Sequence, residues 1–287
     1  AGNRALIKMS EFTPSTATLF AELAARYFAP EELAVIGGDH ELAQRFSELP
    51  FDHLLFTGST SVGRHVMRAA AENLTPVTLE LGGKSPAIIA PDYPMAKAAA
   101  RIMAGKCLNA GQTCIAPDYV FLPAGQENDF IAAARAVVAA SYPDLAQNPD
   151  YSAVVNTRHA SRLRSYLADA AAKGAQIIPL AEVPGKDGGP QRLAPTLVVQ
   201  PDDSMLIMQD EIFGPLLPIM TYQRIEDALI YINAHERPLA LYLFDHDKIR
   251  IEQILDNTVA GGVTINDTIL HIAQDNLPFG GIGASGM

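Results

Sequence analysis

Cysteine is scarce: the 287 residues hold two, at positions 107 and 114. Two thiols cannot make a disulfide framework, and their scarcity fits a reducing compartment such as the cytoplasm. Long apolar runs are absent as well, and none approaches the roughly 18 residues that span a bilayer. Positive charge is in the minority, with 21 Lys and Arg against 32 Asp and Glu, a formal charge of −11. That balance argues against nucleic acid or an anionic membrane as the main partner. The seven histidines are scattered, no C-x-x-C is present, and so no metal set is indicated. The Phe56–Gly63 segment has neither the G-x-G-x-x-G spacing nor that of a Walker loop, and there is no repeat or low-complexity tract. No basic-then-apolar leader opens the chain. It runs from Ala1-Gly2-Asn3-Arg4 straight into an apolar strand and stops at Gly286-Met287 after a glycine-rich turn. Both ends read as cuts through structure, as in a piece of a longer chain.

What is there is core material: 48% hydrophobic and 18% charged residues, in a length that suggests two domains. Short apolar runs alternate with Ala-rich amphipathic segments. Strands are expected at Ala5–Lys8, Leu33–Ile36, His53–Thr57 and Thr75–Glu80. Helices are expected between them at Ser15–Phe28 (with Ser15 as N-cap), His40–Leu49 and Thr60–Asn73. This rhythm predicts a parallel sheet with helices on its faces. A second rhythm follows Gly82-Gly83. Its strands are Ser85–Ala90, Tyr119–Leu122, Ala175–Pro179, Thr196–Gln200, Leu216–Tyr222, Leu239–Phe244 and Gly262–Ile265. Its helices are Met95–Asn109, Glu127–Ser141, Thr157–Lys173, Ile225–Ala234 and Asp247–Leu255. Val183–Gly189 reads as a polar surface loop. The boundary is placed near Gly82–Lys84, with both halves α/β.

Six segments could carry chemistry. Phe56–Gly63 joins a strand to a helix, and its glycines and free N–H groups suit a pyrophosphate; it is equally an ordinary strand–turn–helix corner. Lys8-Met9-Ser10-Glu11 follows the first strand, where open α/β sheets bind ligands, and Lys8 and Glu11 could hold ribose hydroxyls or simply be solvated. Glu80 closes an apolar strand before two glycines. A carboxyl there suits a general base, or is a rim residue at a hinge. In Asn109–Pro117, Cys114 lies in a polar loop after a helix-ending glycine, as a nucleophile would, with local donors expected to lower its pKa from about 8.5. Cys107, on the helix among Met103, Ala104 and Leu108, reads as an inert core thiol. Gln209–Pro215 offers Glu211 for a ribose and Phe213 for a ring, or a loop with an anchoring Phe. Leu277–Gly286 could line an entrance or make a tight crossover.

In this order the six segments resemble the aldehyde dehydrogenase superfamily. The resemblance implies a partial Rossmann-type cofactor domain at 1–82, a catalytic thiol domain at 83–268 and a return segment at 269–287. It implies that Cys114 attacks an aldehyde to give a thiohemiacetal, that hydride leaves to NAD (or NADP), and that Glu80 activates the water that hydrolyses the thioester. Lys8, Ser10 and Glu11 would hold the adenosine ribose. Gly58, Ser59, Thr60 and Gly63 would lie by the pyrophosphate, with Leu81, Glu211 and Phe213 at the nicotinamide end. Glu11 would repel a 2′-phosphate and so favours NAD. Asn109–Tyr119, with Ala-Pro-Asp-Tyr after Ile115, is similar to the branch acting on aromatic and medium-chain aldehydes, and Phe51-Asp52-His53 through Thr75-Pro76-Val77-Thr78 resembles the bacterial members acting on coniferyl aldehyde, which implies a coniferyl-aldehyde-like substrate. A CoA-acylating relative and an inactive binding protein are the alternatives. Met9 stands where the family often has Pro. The family's oxyanion Asn and its C-terminal oligomerisation strand have no counterpart in this stretch, which matches about three-fifths of the family length. Members are usually homodimers or homotetramers.

Overall fold

The computed structural model describes residues 2–182 and 191–287; the expected loop at Val183–Gly189 lies outside the described residues. Residues up to Phe56 with Ser61–Thr78 form one compact unit, and Thr57–Thr60 with Leu79–Met287 form a second.

In the first unit, β1 (Ala5–Lys8) runs parallel to β2 (Leu33–Ile36), with Lys8 opposite Ile36. Between them lies α1 (Pro14–Tyr27), which starts on Pro14, where the missing N–H is no loss. Its N-cap position is Thr13, not the expected Ser15, and it makes no side-chain cap bond. Ser10 Oγ instead accepts the Phe12 N–H at 3.2 Å and turns the chain toward the helix. Next comes α2 (His40–Ser47), capped by Asp39, whose carboxylate accepts the Leu42 N–H at 3.0 Å. Then β3 (Leu54–Thr57), α3 (Thr60–Ala71) and β4 (Val77–Glu80) follow, and β3 pairs with β4. The single parallel sheet expected of this stretch is therefore two separate two-stranded pieces. Apolar runs locate strands; which edges meet is a tertiary matter.

The second unit is built on a seven-stranded sheet among the described residues. Its strands in chain order are β5 (Pro86–Ile89), β6 (Tyr119–Pro123), β7 (Gln176–Pro179), β8 (Thr196–Val199), β9 (Leu216–Tyr222), β10 (Ala240–Phe244) and β11 (Gly262–Ile265). Across the sheet the order is β11-β10-β5-β6-β9-β8-β7. Only the β7 edge is antiparallel among the pairings described. Parallel strands covered on both faces must be apolar throughout, and β5, β6 and β10 are buried at every residue. Ala87, Ile89, Val120, Leu122, Tyr242 and Phe244 face α4 (Met95–Cys107) and α5 (Glu127–Ser141). Their neighbours Ile88, Phe121, Leu241 and Leu243 point the other way, toward α8 (Ile225–Ala234) and α9 (Lys248–Asp256). Between these come α6 (Thr157–Ala172), which packs Leu163 and Tyr166 on Ile212 and Leu216, and the one-turn α7 (Leu206–Gln209).

The glycine-dense end is a ribbon in this unit. Leu79 and Met287 exchange both backbone hydrogen bonds at 3.0 Å, and Leu81 N–H donates to the Ser285 carbonyl at 3.2 Å. A Cβ on Gly286 would fall 2.4 Å from the Leu79 carbonyl, so only glycine permits the approach. Thr60 Oγ1 donates to the Ala284 carbonyl at 2.9 Å, and Gly58 N–H to the Glu80 carbonyl at 3.0 Å. The ribbon thus holds the strand end that carries Glu80.

Candidate active site

The loop bearing Cys114 begins with a backbone reversal. Helix α4 was expected through Asn109 but ends at Cys107. Asn109, Ala110 and Gly111 follow with φ of 49°, 53° and 74°, all left-handed. Ala110 is held there against its preference, at a cost of order 1 kcal/mol. Gly111 is required by space as well, since its Cβ would stand 2.2 Å from the Gly214 carbonyl. Gln112 locks the reversal: its amide donates to the carbonyls of Asn109 (2.9 Å) and Ala153 (3.0 Å), and its oxygen accepts the Val155 N–H (2.8 Å). Ala116 N–H then donates to the Thr113 carbonyl at 3.0 Å, closing a four-residue turn with Cys114 and Ile115 at its centre.

The Cys114 thiol is partly buried, and its pKa is pushed above the usual value. Burial is the main cause, followed by the negative charge of Glu211 and, more weakly, of Glu80. The N–H groups of Cys114 and Ile115 favour the thiolate and pull the other way. The expected local donors are therefore present but outweighed by burial and by two carboxylates that the sequence could not place nearby. A resting thiol follows. Alkylation of Cys114 by iodoacetamide should rise with pH through a midpoint above that of free cysteine, because the thiolate is the reactive form and the folded site disfavours it. Mass-spectrometric labelling rates across pH 6–10 check this. A midpoint at or below the ordinary thiol range contradicts it. Cys107 is 3% exposed, and burial pushes its pKa to about 12, as suits a core thiol.

Two carboxyls act electrostatically on that sulfur, and their environments differ. Glu80 has a buried Oε2 with no hydrogen-bond partner, and burial alone raises its pKa. Glu211 is spoken for. Its carboxylate fills the space a Cβ on Gly82 would need, with Oε2 2.1 Å from that position, and it accepts the Gly83 N–H. Burial and the charge of Asp118 push it up to about 7. The backbone under Glu211 is pinned from three sides. Arg162 of α6 donates to the carbonyls of Glu211 (3.2 Å) and Ile212 (2.8 Å). Asp118 Oδ2 accepts the Ile212 N–H at 2.9 Å. Lys84 bonds Asp118 and also reaches the carbonyls of Ile207 (2.8 Å) and Asp210 (3.1 Å). Phe213 turns through a left-handed φ of 47°, which brings the Gly214 carbonyl against Gly111.

Cys114, Glu80, Leu81, Glu211, Phe213, Gly58, Ser59 and Thr60 all belong to the second unit. Lys8, Ser10, Glu11 and Gly63 belong to the first. There Lys8 and Glu11 form an ion pair at 3.1 Å, and hydrogen bonds to its own backbone and to Lys8 lower the Glu11 carboxyl. Ser10 and Glu11 open onto a groove of about 580 Å³, walled by Pro14, Ala17 and Ala21 of α1 and by Gly37-Gly38 after β2. Gly63 lies buried within α3.

Several residues escaped the sequence reading. Gly37-Gly38 sits at the carboxyl end of a strand, a placement that could have flagged it. Lys84, Asp118 and Arg162 carried no signal, because the contacts that bring them to the site are far apart in sequence: Lys84 meets Asp118 across 34 positions and Arg162 meets Glu211 across 49. Lys106 looked like an ordinary helix residue; it is fully buried with an unpartnered Nζ, and burial pulls it down to about 8.

A seven-stranded, mostly parallel sheet thus carries a partly buried thiol in a turn, with two carboxyls acting on its charge. The chain belongs to the aldehyde dehydrogenase family, whose model matches residues 1–287. It is 56% identical over 287 residues to a Pseudomonas aeruginosa protein called "Probable coniferyl aldehyde dehydrogenase" and 53% identical over 290 residues to the "Coniferyl aldehyde dehydrogenase" of a Pseudomonas species. Both matches take in all of this chain and 60% of the relative, so the chain spans three-fifths of their length. Among solved structures it is similar to substrate-bound Staphylococcus aureus AldH, with TM-score 0.93, 42% identity and coverage of 100% and 61% of the two chains. A Mycobacterium tuberculosis aldehyde dehydrogenase complexed with NAD+ matches with TM-score 0.87 and 33% identity, over 100% and 60%. No helix among the described residues is long and apolar enough to cross a membrane.

Proposed function

We propose that the full-length protein oxidises an aldehyde to a carboxylic acid with NAD as hydride acceptor and Cys114 as the covalent nucleophile. The observation that carries this reading is the arrangement around the turn: a thiol with backbone N–H groups acting on it and two carboxyls of different availability. Cys114 Sγ bonds to the aldehyde carbon and forms a thiohemiacetal. Bound NAD supplies the acceptor for the hydride that leaves that carbon, so that a thioester remains on Cys114. Glu80, whose free oxygen has no other partner, takes a proton from water as the water attacks the thioester, and the acid departs. Glu211 is held by Gly83 and serves the nicotinamide ribose instead, with Leu81 and Phe213 beside it.

The groove in the first unit supports the cofactor assignment. Its apolar α1 wall offers Pro14, Ala17 and Ala21 to a flat ring, and Ser10, Glu11 and Lys8 supply polar groups for ribose hydroxyls. The ionised Glu11 disfavours a 2′-phosphate and so favours NAD over NADP. Gly58, Ser59, Thr60 and Gly63, around the start of α3, are assigned to the pyrophosphate. An aromatic, coniferyl-aldehyde-like substrate is favoured by the relatives named above. The same reading places the full-length protein in the cytoplasm as a homodimer or homotetramer.

The test is a product analysis. Full-length protein given NAD+, coniferyl aldehyde and coenzyme A should form NADH and ferulic acid in equal amounts. Acyl-CoA in place of the free acid would assign a CoA-acylating reaction and remove Glu80 from its role. No NADH with any aromatic or medium-chain aldehyde would point to a binding protein.

A further inference from the structure

We infer that Tyr242 is a positioning residue for the thiol: its hydroxyl braces the Cys114 turn against the Ile269 turn and so steadies the backbone group that acts on the sulfur. The inference rests on the reading of Cys114 as nucleophile. Tyr242 lies in β10 with no exposed surface, in an apolar run, Ala240–Phe244, that by itself reads as core. Its ring does belong to the core. Its oxygen does something else. It donates to the carbonyl of Ile115, the residue after the thiol, and lies where the backbone N–H of Ile269 acts on it. One buried hydroxyl thus joins two loops 154 residues apart.

Each end of this brace is a place where backbone needs holding. Ile115 is the second central residue of the turn closed by Thr113 and Ala116. Its N–H favours the Cys114 thiolate, and its carbonyl is the group Tyr242 holds. Pinning the carbonyl holds the 115–116 peptide plane, and with the Thr113–Ala116 bond closing the turn it limits how the 114–115 plane, which carries the Ile115 N–H, can rotate. Ile269 is a β-branched residue at φ 65°, a conformation such residues adopt only when the surroundings impose it. Its neighbour Thr268 is tied to α4, donating through Oγ1 to the Arg101 carbonyl at 2.9 Å and occupying the space a Cβ on Gly105 would need. Ile269 and Cys114 both pack on the sheet's α4 face, and just past Ile269 the side chains of Leu270 and Ile272 stand open at 54% exposure each. The brace therefore sets the thiol turn in register with the neighbouring apolar loop, where an aldehyde's hydrocarbon part would rest.

The test uses Tyr242→Phe in the full-length protein, which deletes one oxygen and keeps the ring. Tyr222→Phe is the control: Tyr222 is a buried tyrosine of the same sheet whose hydroxyl donates to the Ile89 carbonyl at 2.6 Å, on no loop that carries the site. Both changes remove one buried hydrogen bond to a carbonyl, so a general loss of stability should affect them alike. A small misplacement of reacting groups is expected to lower kcat about tenfold or more for Tyr242→Phe. Iodoacetamide labelling of Cys114 at fixed pH should slow about threefold or more, because a misaimed N–H no longer favours the thiolate. Tyr222→Phe should leave both rates within about twofold. If Tyr242→Phe keeps wild-type kcat and labelling rate, or if Tyr222→Phe reproduces its losses, the brace has no positioning role. Should Tyr242→Phe not fold, 3-fluorotyrosine at 242 keeps ring and hydroxyl and changes only donor strength; an unchanged labelling rate with that residue also overturns the proposal. Loss of the proposed nucleophile is scored separately, by whether Cys114→Ala is inactive, so the two failures are distinguishable.

Discussion

Replacing Cys114 with Ala in the full-length protein is expected to lower kcat/KM for aldehyde oxidation by at least about 10⁴-fold. The covalent route divides one oxidation into two easier steps, and alanine offers the aldehyde no atom to bond. The fold should survive, because Cys114 lies in a turn held by Gln112 and by the Thr113–Ala116 hydrogen bond, neither of which uses the sulfur. Cys107→Ala is the matching control. It trims a core side chain that touches Met103 and Ala110 in the same buried cluster, so stability should fall by about 1–2 kcal/mol. Its kcat/KM should stay within about threefold. Steady-state NADH formation by both variants decides the matter, with circular dichroism to show that each is folded. Activity retained by Cys114→Ala would remove the thiol from the reaction altogether.

Glu80→Gln is expected to produce the second-largest loss, about 10²- to 10⁴-fold in steady-state turnover. The amide keeps the shape of the carboxyl and cannot take a proton from water. The first half of the reaction does not need Glu80, so a burst of NADH close to one equivalent should precede the slow phase, with the acyl group trapped on Cys114. Stopped-flow absorbance reads the burst, and intact-protein mass reads the adduct. The pH dependence carries the same sign. Burial raises the Glu80 carboxyl above the ordinary value, and it must be ionised to act. Wild-type turnover should therefore fall as pH drops through that raised pKa. The fall should be absent from Glu80→Gln. A variant with neither burst nor altered pH profile would assign the base elsewhere, with Glu211, held near neutrality, the next group to replace.

Much of the molecule was legible in the chain because it is written in local pattern. The buried runs Pro86–Ile89, Tyr119–Pro123 and Ala240–Phe244 are continuous apolar stretches, the mark of parallel strands covered on both faces. Glu127–Ser141 and Ile225–Ala234 form the helices their periodicity called for. Where expectation and structure part, the cause is non-local. The helix into the thiol loop stops at Cys107 because Gly111 must come close to the Gly214 carbonyl, about a hundred residues on, as the φ values at 109–111 record. The thiol's pKa went up rather than down because folding buries it and, to a lesser extent, brings the charges of Glu211 and Glu80 to act on it.

Taken alone, the order of residue types determined that this is an α/β chain of the aldehyde dehydrogenase kind with a cysteine set apart from the core, because helix and strand periods, turn residues and short motifs all act over a few neighbours. Only the tertiary structure decided which strand edges meet, which carboxyl has an oxygen to spare, and which buried hydroxyl reaches the thiol's turn. Those are contacts between residues more than a hundred positions apart, as from Tyr242 to Ile115 and Glu211 to Gly82, and burial at such contacts changes charge and hydrogen bonding in ways no local pattern records.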